Sequence, residues 1–88
     1  MKEPKQAEFG KRLRQIREAK SMSMKELGAK MGWSGGYVAD IETGRRPPPA
    51  LDKIMGIATA LDYNYLELIK LSMRDKKSLT IPLLGKSD

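Results

Sequence analysis

The feature that most constrains the fold of this chain is a pair of short helical segments separated by about three residues. The first begins at a capping box, in which the side chains of Ser23 and Glu26 each accept a hydrogen bond from the other residue's backbone N–H. Gly32 supplies the permissive backbone of a tight turn, and Ser34 is the expected N-cap of the second segment, which ends near Thr43. These signals predict two helices joined by a short turn into one unit.

Three further segments, over about 7–19, 50–61 and 64–71, repeat apolar residues at the spacing of one helix face. The sequence therefore predicts an all-α fold, a bundle of five short helices. The residues expected to face its interior are Phe9, Leu13, Ile16, Leu27, Met31, Val38, Ile41, Leu51, Ile54, Ala58, Leu61, Leu66 and Ile69.

The chain beyond the fifth segment has a different pattern. A polar stretch over 74–78 is followed by an apolar run over 79–84. This run is expected to be a short β-strand or a flexible end, and Pro82 favours an edge or irregular piece over a central strand. The sequence thus predicts one domain over residues 1–71 and a C-terminal tail over residues 72–88.

The charge of the chain favours an anionic partner. The net charge is +6, and residues 1–21 carry seven basic residues against three acidic ones. On charge alone a solvated basic face is the commoner arrangement, and Lys11, Arg12 and Arg14 on the first helix are expected to form such a face. Its role would be long-range attraction, with direct phosphate contact as the alternative.

The residue types argue against an enzyme. The chain has no His and no Cys, and its carboxylates are scattered over helix surfaces, so neither a catalytic constellation nor a metal site is expected, and no cofactor. No apolar run approaches the roughly 20 residues of a membrane span. The first four residues, Met1 to Pro4, lack the apolar segment of a signal peptide. A cytoplasmic protein without a membrane partner is therefore expected.

Five strings stand in a recognisable order and spacing: Phe9–Arg17, Ser23–Gly28, Gly32–Ser34, Ile41–Pro47 and Ile57–Asp62. From Phe9 to about Leu71 the chain resembles the DNA-binding domain of phage repressors and Cro, the XRE-type family. The resemblance implies a lambda repressor-like helix-turn-helix fold that presents its third helix to the major groove of double-stranded DNA. It also implies that Arg17 and Glu42 pair inside the domain.

The helical period identifies the side of the third helix that would meet DNA. With Val38 and Ile41 facing inward, a step of 100° per residue turns four residues outward and leaves Tyr37 lateral. Two arginines follow the helix. Together with the helix N-terminus, the candidate DNA-binding residues are Ser34, Gly35, Gly36, Tyr37, Ala39, Asp40, Thr43, Arg45 and Arg46.

The sequence departs from the family pattern at positions that usually contact DNA. Met24 stands where the family usually has a phosphate-binding Gln, and Gly35 and Gly36 stand where several members carry base-reading side chains. The glycines would permit close approach either to DNA or to a neighbouring helix. Trp33, in the turn, is expected to be a partly buried anchor, with contact to DNA as the alternative.

The outward face has no Arg, Lys, Gln or Asn, the residue types that make most bidentate base contacts. Three explanations stay open. Readout is direct but sparse, through Asp40, Ala39 or the Thr43 methyl group; or it depends on DNA shape, with Arg45 and Arg46 at the phosphates; or the groove-facing role is lost.

The predicted function is sequence-specific regulation of transcription, as a repressor that binds a palindromic operator as a homodimer, because one unit reads only a few base pairs. The alternative is an antitoxin-like module that binds another protein, for which the tail is the expected contact. The candidates for the dimer interface are Leu68, Leu71, Leu79, Ile81 and Leu83.

Overall fold

Five α-helices make up the computed structural model, which describes the backbone of residues 8–86 and the side chains of residues 8–75. They are α1 (Glu8–Ala19), α2 (Met24–Met31), α3 (Gly35–Thr43), α4 (Leu51–Leu61) and α5 (Tyr65–Lys86). Helix α1 packs against α3 and α5, α2 against α3 and α4, and α4 against α5. The prediction of an all-α bundle containing a helix-turn-helix unit is confirmed.

The predicted capping signals fix the α2–α3 unit. The capping box of Ser23 and Glu26 is present, and Gly32 ends α2 in the left-handed conformation at φ 75°. Directly after Gly32, the Trp33 N–H donates a hydrogen bond to the Gly28 carbonyl, 2.7 Å long. Ser34 caps α3 by accepting from the Tyr37 N–H at 3.0 Å. Local chemistry therefore sets where α2 ends and where α3 begins.

All five helices contribute to the core. Its buried apolar side chains are Phe9, Leu13, Ile16, Leu27, Val38, Ile41, Ile54, Ile57, Ala58, Leu61 and Leu68. The prediction that Leu51 faces inward is wrong, because this side chain is 54% exposed. It belongs to the first turn of α4, ahead of the stripe over 54–61 that contacts the core.

Helix α5 differs most from its prediction. It was expected to end near Leu71 and to be followed by a strand or flexible end, but residues 72–86 continue the helix. No Gly or Pro, the usual helix terminators, stands between Leu71 and Pro82. Two contacts with α1 hold the continuation: Arg74 Nη1 lies 3.2 Å from Glu8 Oε1, and Asp75 Oδ2 accepts from the Phe9 N–H at 3.1 Å.

The inward face of α5 was predicted correctly at Ile69, which packs against the core, and wrongly at Leu66. Leu68, a dimer candidate, is fully buried, whereas Leu66 is 57% exposed. The buried face includes the polar Ser72 and continues toward Asp75, so hydrophobicity alone did not identify its centre. Leu71 and Ile69 are half-buried. The remaining dimer candidates, Leu79, Ile81 and Leu83, have side chains outside the described residues.

A buried ion pair joins α1 to α3. Arg17 Nε donates to Glu42 Oε2 at 2.7 Å and Arg17 Nη2 donates to Glu42 Oε1 at 3.0 Å, which is the pair that the family resemblance implies. Arg17 Nη1 also donates to the Met22 carbonyl at 2.7 Å, so the same guanidinium fixes the turn before α2. The hydrogen bond to Glu42 raises the pKa of Arg17. Side-chain exposure is 7% for Arg17 and 1% for Glu42.

Removal of Glu42 should therefore be severely destabilising, because it leaves the Arg17 charge buried without a partner. We expect Glu42→Ala to lower the free energy of unfolding by about 3–5 kcal/mol. Thermal melting followed by circular dichroism measures the effect. Glu18→Ala is the control, since it breaks the exposed Arg14–Glu18 pair of α1, for which only a small change is expected. Equal melting temperatures for the two variants would contradict a structural role for the buried pair.

Candidate nucleic-acid interface

The candidate surface is the side of α3 that the core leaves free. Val38, Ile41 and Glu42 are buried and anchor the helix from behind. On the other side Gly36 and Thr43 are exposed, and Tyr37, Ala39 and Asp40 are half-buried. The structure thus brings the outward residues predicted from the helical period onto one continuous surface, bordered by Arg45 and Arg46.

Asp40 and the two arginines after α3 form an ion-pair cluster at the end of this surface. Arg45 Nη1 lies 3.4 Å from Asp40 Oδ1, and Arg46 Nε lies 3.6 Å from Asp40 Oδ2. Gly44 makes the cluster possible, because its left-handed backbone, at φ 86°, turns the chain at the C-terminus of α3. The Arg46 N–H then donates to the Asp40 carbonyl at 3.1 Å.

The aromatic rings of Tyr37 and Trp33 pack beside this ion-pair cluster. The Arg46 guanidinium lies 4.7 Å from the centre of the Tyr37 ring, a cation–π contact. The Tyr37 ring in turn lies 4.9 Å from that of Trp33, tilted by 55°. Trp33 is half-buried and packs against the core, the arrangement expected of an anchor in the turn.

Sequence reasoning missed the contacts of Asp40 and Arg46. Residues five and six positions apart do not lie on the same face of a helix, so the helical period does not predict the Asp40–Arg45 and Asp40–Arg46 pairs. The available signal was Gly44, which as a left-handed cap turns the following residues back toward the helix they leave.

Two hydroxyl groups of the surface have partners within the chain. Ser34 Oγ accepts from the Tyr37 N–H, and Thr43 Oγ1 donates to the Ala39 carbonyl at 3.0 Å. The Thr43 hydroxyl hydrogen is therefore directed at the helix backbone, as is common for Thr within helices. Met24, which stands at the family's phosphate-binding position, is half-buried and packs against the core.

The glycines of α3 are not required by packing within the chain. A Cβ at Gly35 would lie 3.6 Å from Lys25, an ordinary contact, and one at Gly36 would meet only Ser34 Oγ at 3.8 Å. Gly10 and Gly28 are different. A Cβ at Gly10 would collide with the Ile41 carbonyl, and one at Gly28 with that of Trp33.

Two of the three basic side chains on the α1 face, Arg12 and Arg14, form ion pairs within the chain. Arg12 Nη2 lies 3.2 Å from Glu67 Oε2, and Arg14 Nε lies 3.1 Å from Glu18 Oε2. Glu67 also accepts from the Tyr63 hydroxyl at 2.8 Å, a bond that raises the pKa of Tyr63.

Among the residues with described side chains, no group of His, Cys, Asp or Glu has the arrangement of a metal site. None of the described helices is both long and apolar enough to span a membrane.

A family model described as a helix-turn-helix domain matches residues 8–63, which include α1 to α4 and the whole candidate surface. The chain belongs to this helix-turn-helix family. No curated protein matches it in a sequence search. The fold and the family agree with the XRE-type resemblance found in the sequence.

Three solved structures are similar to the chain. The restriction-modification controller protein C.AhdI from Aeromonas hydrophila is 40% identical, with 70% of this chain and 92% of that one covered and a TM-score of 0.64. SinR, a master regulator for biofilm formation crystallised with DNA, is 28% identical, with 69% of this chain and 97% of that one covered and a TM-score of 0.63. The clp gene regulator ClgR from C. glutamicum is 25% identical, with 80% and 91% covered and a TM-score of 0.66. Family and neighbours support a DNA-binding regulator.

The glycines of this helix-turn-helix protein can be tested for stability. We expect Gly36→Ala to raise the free energy of unfolding by up to about 1 kcal/mol, because Ala favours a helix and its methyl group would make only an ordinary contact with Ser34 Oγ. Gly10→Ala should lower it by about 1–3 kcal/mol through overpacking against α3. Chemical denaturation measures both. A destabilised Gly36→Ala would mean that the fold itself requires this glycine.

Proposed function

We propose that the protein is a sequence-specific, double-stranded DNA-binding regulator of transcription that inserts α3 into the major groove. The observation that carries this proposal is the rigid mounting of α3. Its inner side is locked by the buried Arg17–Glu42 pair, while its outer side ends at two exposed arginines. A wide groove admits a helix, and cations at the edge of that helix suit the flanking phosphates.

The outer side of α3 suits close approach better than extensive hydrogen bonding to bases. Gly36 and Ala39 have little or no side chain, and the Thr43 hydroxyl is already bonded to the backbone. The amides of Gly35 and Gly36, at the helix N-terminus, are suited to a phosphate. Because packing within the chain does not require these glycines, their presence fits an outside surface that comes near the backbone. Sparse base contact and readout of DNA shape together fit this surface.

The similar structures support the same reading. SinR was crystallised with DNA, and C.AhdI and ClgR are named as a controller and a gene regulator. We further propose a repressor that binds a palindromic operator as a homodimer, since one α3 covers few base pairs. The cytoplasm remains the predicted location.

The second copy would bind on α5. Leu66 and Met73 lie seven residues apart on one face of the helix, and their side chains are 57% and 61% exposed. Exposed apolar side chains on one helix face commonly mark an interface. This surface differs from the one predicted from the sequence, of which Leu68 belongs to the core.

Duplex affinity measured against salt concentration tests DNA binding. A dimer with roughly four phosphate contacts per protomer should lose affinity with a log–log slope near −7. Arg45→Ala should weaken duplex binding and reduce the slope by about 2 per dimer, because Arg45 is 77% exposed beside α3. Lys30→Ala, which removes an exposed charge from the last turn of α2, should leave the slope unchanged. No duplex affinity at low salt would instead favour the protein-binding module.

Sedimentation velocity tests the dimer. Leu66→Lys should convert dimer to monomer, because it places a charge in the proposed interface, and should leave the helical content measured by circular dichroism unchanged, because Leu66 lies outside the core. Leu51→Lys is the matched control, since Leu51 is an equally exposed leucine on α4, at 54%. A Leu66→Lys protein that remains dimeric would exclude this face of α5.

A further inference from the structure

Asp40 occupies an unusual place for an acidic residue. It lies on the outward surface of α3, yet each of its carboxylate oxygens faces a different guanidinium group. Oδ1 lies 3.4 Å from Arg45 Nη1 and Oδ2 lies 3.6 Å from Arg46 Nε. One negative charge thus stands between the two positive charges that border the candidate surface. The carboxylate itself is only 31% exposed, while the Arg45 and Arg46 side chains are 77% and 52% exposed.

Arg46 is held in place by more than this charge. Its backbone N–H donates to the Asp40 carbonyl at 3.1 Å, and its guanidinium lies 4.7 Å from the centre of the Tyr37 ring. Three contacts, made by two residues of α3, therefore set its position. A guanidinium held by these contacts is less free to move toward a phosphate.

The same geometry argues against Asp40 as a reader of cytosine. To accept from a cytosine amino group, the carboxylate would have to share or release an arginine that it now holds. A carboxylate at the edge of the groove also repels phosphates. Its presence therefore lowers the affinity of the surface for DNA of any sequence.

Specificity is a difference between affinities, and it increases when binding to the wrong partner is weakened. We propose that Asp40 is a specificity-determining positioning residue. It restrains Arg45 and Arg46, which weakens binding to unselected DNA, and it aligns both groups for a duplex whose shape lets them reach phosphates from that position. This inference rests on the proposed function and assigns a role in selectivity to a side chain that touches no base.

The test compares affinities for two probes, short duplexes of random sequence and a duplex that the wild-type protein has selected from that pool. Asp40→Asn should bind random duplexes about two- to fivefold more tightly, the range expected for release of an exposed ion pair. Its salt dependence should be steeper by about 0.9 per protomer, because one more phosphate is neutralised. The ratio of selected to random affinity should fall. Asp40→Ala should behave in the same way, which separates loss of charge from new base contacts by Asn.

Glu18→Gln is the matched control. It removes the same charge and also frees an exposed arginine, Arg14, but on α1. If Glu18→Gln tightens random binding as much as Asp40→Asn does, net charge explains the effect and the inference is wrong. It is equally wrong if Asp40→Asn leaves random affinity unchanged and weakens only the selected duplex, with an altered preference at one base. A wild-type protein that binds no duplex at low salt overturns the proposed function as well. Failure of the proposed function is therefore seen in the wild type, whereas failure of the Asp40 inference alone is seen only in the variants.

Discussion

The buried pair of Arg17 and Glu42 is the interaction on which the rest of the structure depends. Its guanidinium holds three elements at once, since it bonds α3 through Glu42, belongs to α1 and reaches the Met22 carbonyl before α2. A buried pair is tolerated only when its remaining polar groups are satisfied, and here the third bond contributes to that. The pair fixes the rotation of α3, and with it the set of side chains that face outward. Close approach of α1 to α3 at Gly10 requires the same arrangement.

Elements with local signals were predictable from the sequence, and those that depend on tertiary contacts were not. The ends of α2 and α3 follow from Ser23, Gly32 and Ser34, whose capping chemistry involves only near neighbours. The buried face of α5 does not follow from such local signals. It includes the polar Ser72 and lies on the side of Asp75, whose carboxylate accepts from the Phe9 N–H of α1, far away in sequence. Among the site residues, the outward face of α3 was predictable from its period, whereas the Asp40 cluster needed the turn at Gly44.

The candidate surface combines small neutral residues with restrained charge. Its centre presents Gly36 and Ala39, which offer shape and little hydrogen bonding, and its edge presents arginines that an internal carboxylate partly neutralises. Such a surface depends on fit more than on single strong contacts, because neither base-edge donors nor free cations dominate it. A rigid mount is then a requirement, since a helix that rotated would lose the fit. In the proposed function, the buried pair on one side of α3 thus supports selectivity on the other side.

The most direct test of this account is the change in backbone amide NMR shifts when the protein is titrated with a duplex it has selected from a random pool. The account predicts that the largest changes fall on Gly35, Gly36, Tyr37, Arg45 and Arg46, with the buried residues of α4 little affected. Saturable changes confined to α5, with α3 unchanged, would contradict the claim that this helix is the surface that meets DNA.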